Sequence, residues 1–185
     1  MVSTNDFRTG TTFEMDGQLV AVVHVEHIKL ARAGAVIKAR LRNVRTGAIF
    51  EQSFRSGDKY KAVRIEKSEA TYLYNDGDLY HFMDNQNFEQ VALPKETLED
   101  LIPYLKEGNP VNILRYEDSV IGVELPINVE LQVTETEPGI RGDTVSASFK
   151  PARLETGAAV QVPLFVNKGD RIKVDTRTGA YMERV

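Results

Sequence analysis

Short runs of alternating apolar and polar residues, each closed by turn-forming residues, recur along the whole chain. Residues 19–28 and 35–44 are rich in Val, Ile and Ala, and Gly34 punctuates the small-residued stretch between them. Side chains along a strand face opposite sides in turn. In the second run Ala35, Ile37, Ala39 and Leu41 therefore share one face, and Val36, Lys38, Arg40 and Arg42 the other. The two runs predict a hairpin. Gly34 can supply the positive φ that a tight tip often needs.

The same reading places strands elsewhere. Residues 1–17 predict a first strand and turns, the turns at Asp6 to Gly10 and at Asp16-Gly17. Residues 48–54 form a strand after Arg45-Thr46-Gly47, with Ile49, Phe50 and Phe54 available for packing. Residues 70–74 and 79–83 flank Asn75-Asp76-Gly77-Asp78, a hairpin signal. Further strands follow at 88–92, 111–116, 119–124, 128–134, 159–166, 171–174 and 180–184. Pro138-Gly139, Gly142-Asp143, residues 167–170 and Thr178-Gly179 supply the turns of the last third. One helical stripe stands out, made by Leu98, Leu101, Ile102 and Leu105. Pro103 interrupts it, so the expectation is one or two short turns ending near Gly108.

These elements predict an all-β protein. Residues 1–64 read as a small barrel with a protruding basic hairpin. Two later β units of about 60 residues each, with no sequence repeat between them, suit small, partly open barrels of the OB type. Modules of this size are marginal alone, so tight packing between neighbours is expected.

Charge sharpens this picture. The net charge is −4. Residues 1–64 carry 11 bases and 6 acids, residues 65–126 carry 4 and 13, and residues 127–185 carry 8 of each. Between Glu26 and Glu51 there is no acid at all, but six bases: Lys29, Arg32, Lys38, Arg40, Arg42 and Arg45. Cations along an extended arm suit a phosphate backbone. The same pattern also fits a solvated strand face. The acidic middle need not oppose phosphate binding, because charges beyond a Debye length of roughly 8 Å are largely screened. The chain has no cysteine, so disulfides and thiolate chemistry are excluded. It has no run long enough to span a membrane and no signal-peptide pattern at its start, which predicts a cytoplasmic protein.

Catalytic constellations are missing. His24 and His27 form an H-x-x-H, but on a strand they point to opposite faces. His81 sits alone among aromatics and reads as structural. Asn75 to Asp78 with Asp84 lacks the twelfth-position carboxylate of an EF-hand, and a hairpin turn explains it better. Gly139-Ile140-Arg141-Gly142 spells the G-x-x-G of KH domains, which there joins helices and here has strand-like flanks. No phosphate-binding loop is present. No segment shows an aromatic-plus-basic stacking face of the single-strand-binding kind. On residues alone the class is a non-catalytic, all-β nucleic-acid-binding protein, with no metal and no cofactor.

Residues 150–169, Lys-Pro-Ala-Arg-Leu-Glu-Thr-Gly-Ala-Ala-Val-Gln-Val-Pro-Leu-Phe-Val-Asn-Lys-Gly, carry the spacing K-x-A, four residues, G, then V-x-V-P and a closing G. With Asn5 to Arg8, Tyr72 to Gly77, Glu137 to Thr144 and Val174 to Arg177, they make the chain resemble bacterial translation elongation factor P over essentially its full length. The resemblance implies three consecutive small β-barrels in an L shape: a KOW/SH3-like N-terminal domain at 1–64, then OB-fold domains at 65–126 and 127–185. It implies a monomeric, non-catalytic factor that binds the 70S ribosome between the P and E sites. There it would relieve stalling at consecutive prolines by positioning P-site peptidyl-tRNA, so stimulating peptide-bond formation. Its partners would be that tRNA, rRNA and the mRNA E-site codon, with no membrane. Arg32 corresponds to the hairpin tip facing the peptidyl-transferase centre and to the position that a modifying enzyme acts on. Lys29 matches a family base. Lys38, Arg40 and Arg42 would hold the arm against tRNA or rRNA. Gly142, Asp143 and Thr144 match the loop near the E-site codon, and Tyr181 and Arg184 the residues near tRNA. The tip departs from the common Lys-Pro-Gly-Lys-Gly, reading Lys29-Leu30-Ala31-Arg32-Ala33. An arginine there excludes lysine-type extensions and leaves rhamnosylation or a bare guanidinium. The alternatives are a paralogue of the YeiP type and a stand-alone OB-fold RNA-binding protein.

Overall fold

A computed structural model of the chain describes residues 1–30, 34–139 and 148–185. The described residues form three sheets, and the chain divides into two compact units, residues 1–68 with 113–122 and residues 69–112 with 123–185.

The first sheet contains β1 (Val2–Ser3), β2 (Thr12–Met15), β3 (Gln18–Leu30), β4 (Gly34–Asn43), β5 (Ile49–Arg55) and β6 (Lys59–Ala62), in the order β1-β6-β2-β3-β4-β5. β3 and β4 are the long hairpin read from the sequence. Their inward residues meet an aromatic cluster: Phe7 stacks on Phe13 at 4.7 Å, and Phe54 meets Phe7 edge-on at 5.4 Å. Val20, Val22, Ile37, Ala39 and Leu41 complete this core. Leu19, one residue from Val20, looks the other way into a second cluster with Val63, Leu114 and Ile121. The ladder between β3 and β4 slips by one residue between Val22 and His24. Val23 is the extra residue of this β-bulge, and its exposed side chain faces neither core. The hydroxyl of Thr9 donates to its carbonyl at 3.3 Å.

The second sheet holds β7 (Glu66–Asn75), β8 (Leu79–Asp84), β9 (Gln90–Pro94), β10 (Pro110–Tyr116) and β11 (Ser119–Glu124), ordered β11-β10-β7-β8-β9. The expected short helical turns are α1 (Lys95–Leu98) and a 3-10 turn, Ile102–Tyr104, that contains Pro103. Leu98 and Leu105 bury their side chains. The strand expected at 88–92 begins later, because Phe88 takes a positive φ of 59° in the turn after β8.

The third sheet holds β12 (Asn128–Thr136), β13 (Phe149–Leu154), β14 (Ala159–Pro163), β15 (Arg171–Asp175) and β16 (Tyr181–Arg184), ordered β14-β13-β12-β15-β16. Leu131, Val133, Leu154, Val162, Ile172 and Val174 form its core. β13 was not among the expected strands. Its pattern is inverted at its start, with Phe149 56% exposed and Lys150 only 5% exposed. The Lys150 ammonium is accommodated because it donates to the Glu137 carbonyl at 2.6 Å. Pro151 pairs with Gln161 of β14, while the β12 register stops at Ala152, so the missing N–H costs no bond on that side.

Candidate nucleic-acid interface

The β3–β4–β5 ladder builds a two-sided surface. Ile37 and Phe54, Ala39 and Val25, and Leu41 and Val22 meet on the inward side. The outward side carries four cross-strand rows, in the order β3, β4, β5: Ile28, Val36 and Arg55; Glu26, Lys38 and Ser53; His24, Arg40 and Glu51; Ala21, Arg42 and Ile49. Lys38, Arg40 and Arg42 are all exposed, on the face that alternation assigns them. Among the described residues none of the three makes an ion pair within 4 Å. Lys29 lies in β3 opposite Ala35, beside the tip. Arg32 lies outside the described residues.

Two features of this face were invisible in the linear reading. Arg55 joins it from β5, beside Val36. Glu26 and Glu51, which bound the acid-free stretch in sequence, fold back onto it, opposite Lys38 and Arg40 respectively. Ile49, expected to pack, is 53% exposed beside Arg42. His24 and His27 fall on opposite sides of β3, and His24 Nε2 lies 3.4 Å from Glu26 Oε1.

Gly142, Asp143 and Thr144, between β12 and β13 in sequence, lie outside the described residues. The approach to that segment is held at two points. Lys150 grips the Glu137 carbonyl. Gly139 packs so closely on Leu164 that a Cβ would come within 2.2 Å of its carbonyl oxygen. Tyr181 is half-buried against the core. Arg184 is half-exposed, 3.5 Å from Asp170 Oδ2, with its guanidinium 5.2 Å from the ring centre of exposed Phe165. The fold thus assembles an aromatic-plus-basic contact where the sequence showed none, from residues nineteen apart. Nearby, Arg177 holds the Asp175 carboxyl down to about 2 through a 2.9 Å contact and its own backbone N–H.

His81 lies 2.9 Å from Asp76 Oδ2 and stacks on Tyr74 at 4.5 Å. That bond holds the Asp76 carboxyl below its ordinary value. Among the described residues no group of three or more His, Cys, Asp or Glu side chains could hold a metal, and no helix is long and apolar enough to cross a membrane.

Family models match the chain in three consecutive stretches: the elongation factor P KOW-like domain at 3–60, its OB domain at 65–123 and its C-terminal domain at 129–184. The elongation factor P of Moorella thermoacetica is 53% identical over 184 residues, and that of Acetivibrio thermocellus 49% over 185. Both alignments cover 100% of each chain. The chain belongs to the elongation factor P family. It is a translation elongation factor and not a classical enzyme.

Proposed function

We propose that this factor binds the ribosome between the P and E sites and braces P-site peptidyl-tRNA so that peptide bonds form at consecutive prolines. The observation that carries this is the line of exposed cations on β4, Lys38, Arg40 and Arg42, on the strand that follows Arg32 in sequence. Such an arm suits the phosphates of a tRNA acceptor end or of rRNA. Lys29 adds a further base beside the tip. Gly142, Asp143 and Thr144 take the mRNA E-site codon, and Tyr181 and Arg184 the tRNA. The family modules at 1–64, 65–126 and 127–185 divide these tasks within the cytoplasm.

The ribosome performs the chemistry. Holding the acceptor end in productive geometry lowers the barrier by removing the entropy of misalignment, an effect that can reach several kcal/mol. A guanidinium suits the tip because it stays charged and can fork to phosphate or carbonyl oxygens. The test is translation of a polyproline reporter in a system lacking this factor. Recombinant protein should restore full-length product and Arg32→Ala should not, while ribosome binding by the variant falls much less than rescue. Equal loss of binding and rescue would remove the tip role. Rescue only by protein from its native source would mean that an enzyme modifies Arg32.

A further inference from the structure

Resting on the reading of the arm as an RNA interface, we infer that Glu26 and Glu51 are counter-charges that set its specificity. They hold down attachment to RNA in general and leave tight binding to the shaped site on the ribosome.

Both carboxylates are exposed, so burial gives neither a structural duty. Neither clamps the cation across from it, because Lys38 and Arg40 make no ion pair within 4 Å among the described residues. Yet each sits directly opposite one, Glu26 across from Lys38 and Glu51 across from Arg40. Side chains so paired have Cβ atoms about 5 Å apart. A phosphate that reaches Lys38 or Arg40 therefore lies within a Debye length, about 8 Å, of a carboxylate.

The ends of the face differ from its middle. Arg42 has Ala21 and Ile49 directly across from it, and Arg55 has Val36, so neither faces a carboxylate directly and both are shadowed less than Lys38 and Arg40. Successive rows lie about 6.6 Å apart along the strand. The face therefore presents its least shadowed cations at its ends and more shadowed ones between. A regular RNA duplex laid along it meets both attraction and repulsion. An RNA surface that engages the ends is penalised less.

The test compares the full chain with Glu26→Gln/Glu51→Gln, with a control of equal charge change elsewhere, Glu66→Gln/Glu96→Gln, and with Lys38→Ala/Arg40→Ala. Each is titrated against a generic duplex RNA over a potassium chloride series, and against ribosomes carrying P-site tRNA. Thermal melts establish that each variant is folded. Glu26→Gln/Glu51→Gln should bind the duplex about fivefold more tightly at low salt, with a gain that fades as salt rises. Ribosome affinity should change less, so discrimination falls. A duplex affinity no greater than that of Glu66→Gln/Glu96→Gln would overturn the inference. So would an equal gain on both targets, since the carboxylates would then set affinity alone. Failure of the underlying reading looks different: Lys38→Ala/Arg40→Ala would then leave ribosome binding unchanged.

Discussion

The first and third sheets both carry many charges but use them differently. In the third sheet and its turns four cations are engaged within the fold: Lys150 with the Glu137 carbonyl at 2.6 Å, Lys173 with Glu183 at 2.5 Å, Arg177 with Asp175 at 2.9 Å and Arg184 with Asp170 at 3.5 Å. On the outer face of the first sheet, Lys38, Arg40 and Arg42 stand exposed and form no ion pair among the described residues. The net charges of 1–64 and 127–185 differ by only five units, yet the difference in availability is greater than that number suggests. A cation that the fold leaves unpaired is more available for recognition than one it already holds, and Arg184, in the longest of these pairs and half-exposed, lies between the two cases.

This contrast breaks most clearly at Lys150. Replacing it with alanine removes a buried side chain together with its hydrogen bond to the Glu137 carbonyl and leaves a void, so unfolding in urea should show a loss of about 2–4 kcal/mol. A loss below about 0.5 kcal/mol would place Lys150 with ordinary surface residues. Arg42→Ala should do the reverse. Its stability should stay within about 0.5 kcal/mol of the parent, while the slope of log affinity for RNA against log salt falls by about 0.7–0.9. Clear destabilisation by Arg42→Ala would end the distinction between the sheets. The smallest effect concerns acid. Asp175 titrates near 2 instead of its ordinary 3.8 because Arg177 stabilises the charged form. A depressed carboxyl stabilises the fold fully above its ordinary value, and that contribution disappears as pH falls from about 4 toward 2. In Arg177→Ala, a carboxyl-detected NMR titration should find Asp175 moved upward toward its ordinary value. An unmoved midpoint would show that the backbone N–H donors of the turn suffice.

Much of the fold was legible because alternation is a local property. Ile37, Ala39 and Leu41 turn inward while Lys38, Arg40 and Arg42 turn outward, and period-two patterning alone separates them. The Asn75 to Asp78 turn and the short helical turns around Pro103 follow from local chemistry in the same way. What escaped notice depends on partners distant in sequence. β6, Lys59–Ala62, is mostly polar and exists through its pairing with β1 and β2. β13 hides behind Lys150, whose burial makes sense only once Glu137 is beside it. The proximity of Glu26 and Glu51 to the cations, and of Phe165 to Arg184, arises from registers and turns that no single run encodes. Arg32 and residues 142–144 rest on sequence correspondence alone.

The bulge at Val23 separates two properties of the arm that would otherwise be tied together. A bulge bends its strand and adds twist. Here it does so within the stretch of β3 that lines the aromatic core, between Val22 and Val25, with Val22 still opposite Leu41 and His24 opposite Arg40 on either side of the extra residue. The inserted residue thus works like a steering joint: it sets where the arm aims while every charged row keeps its membership.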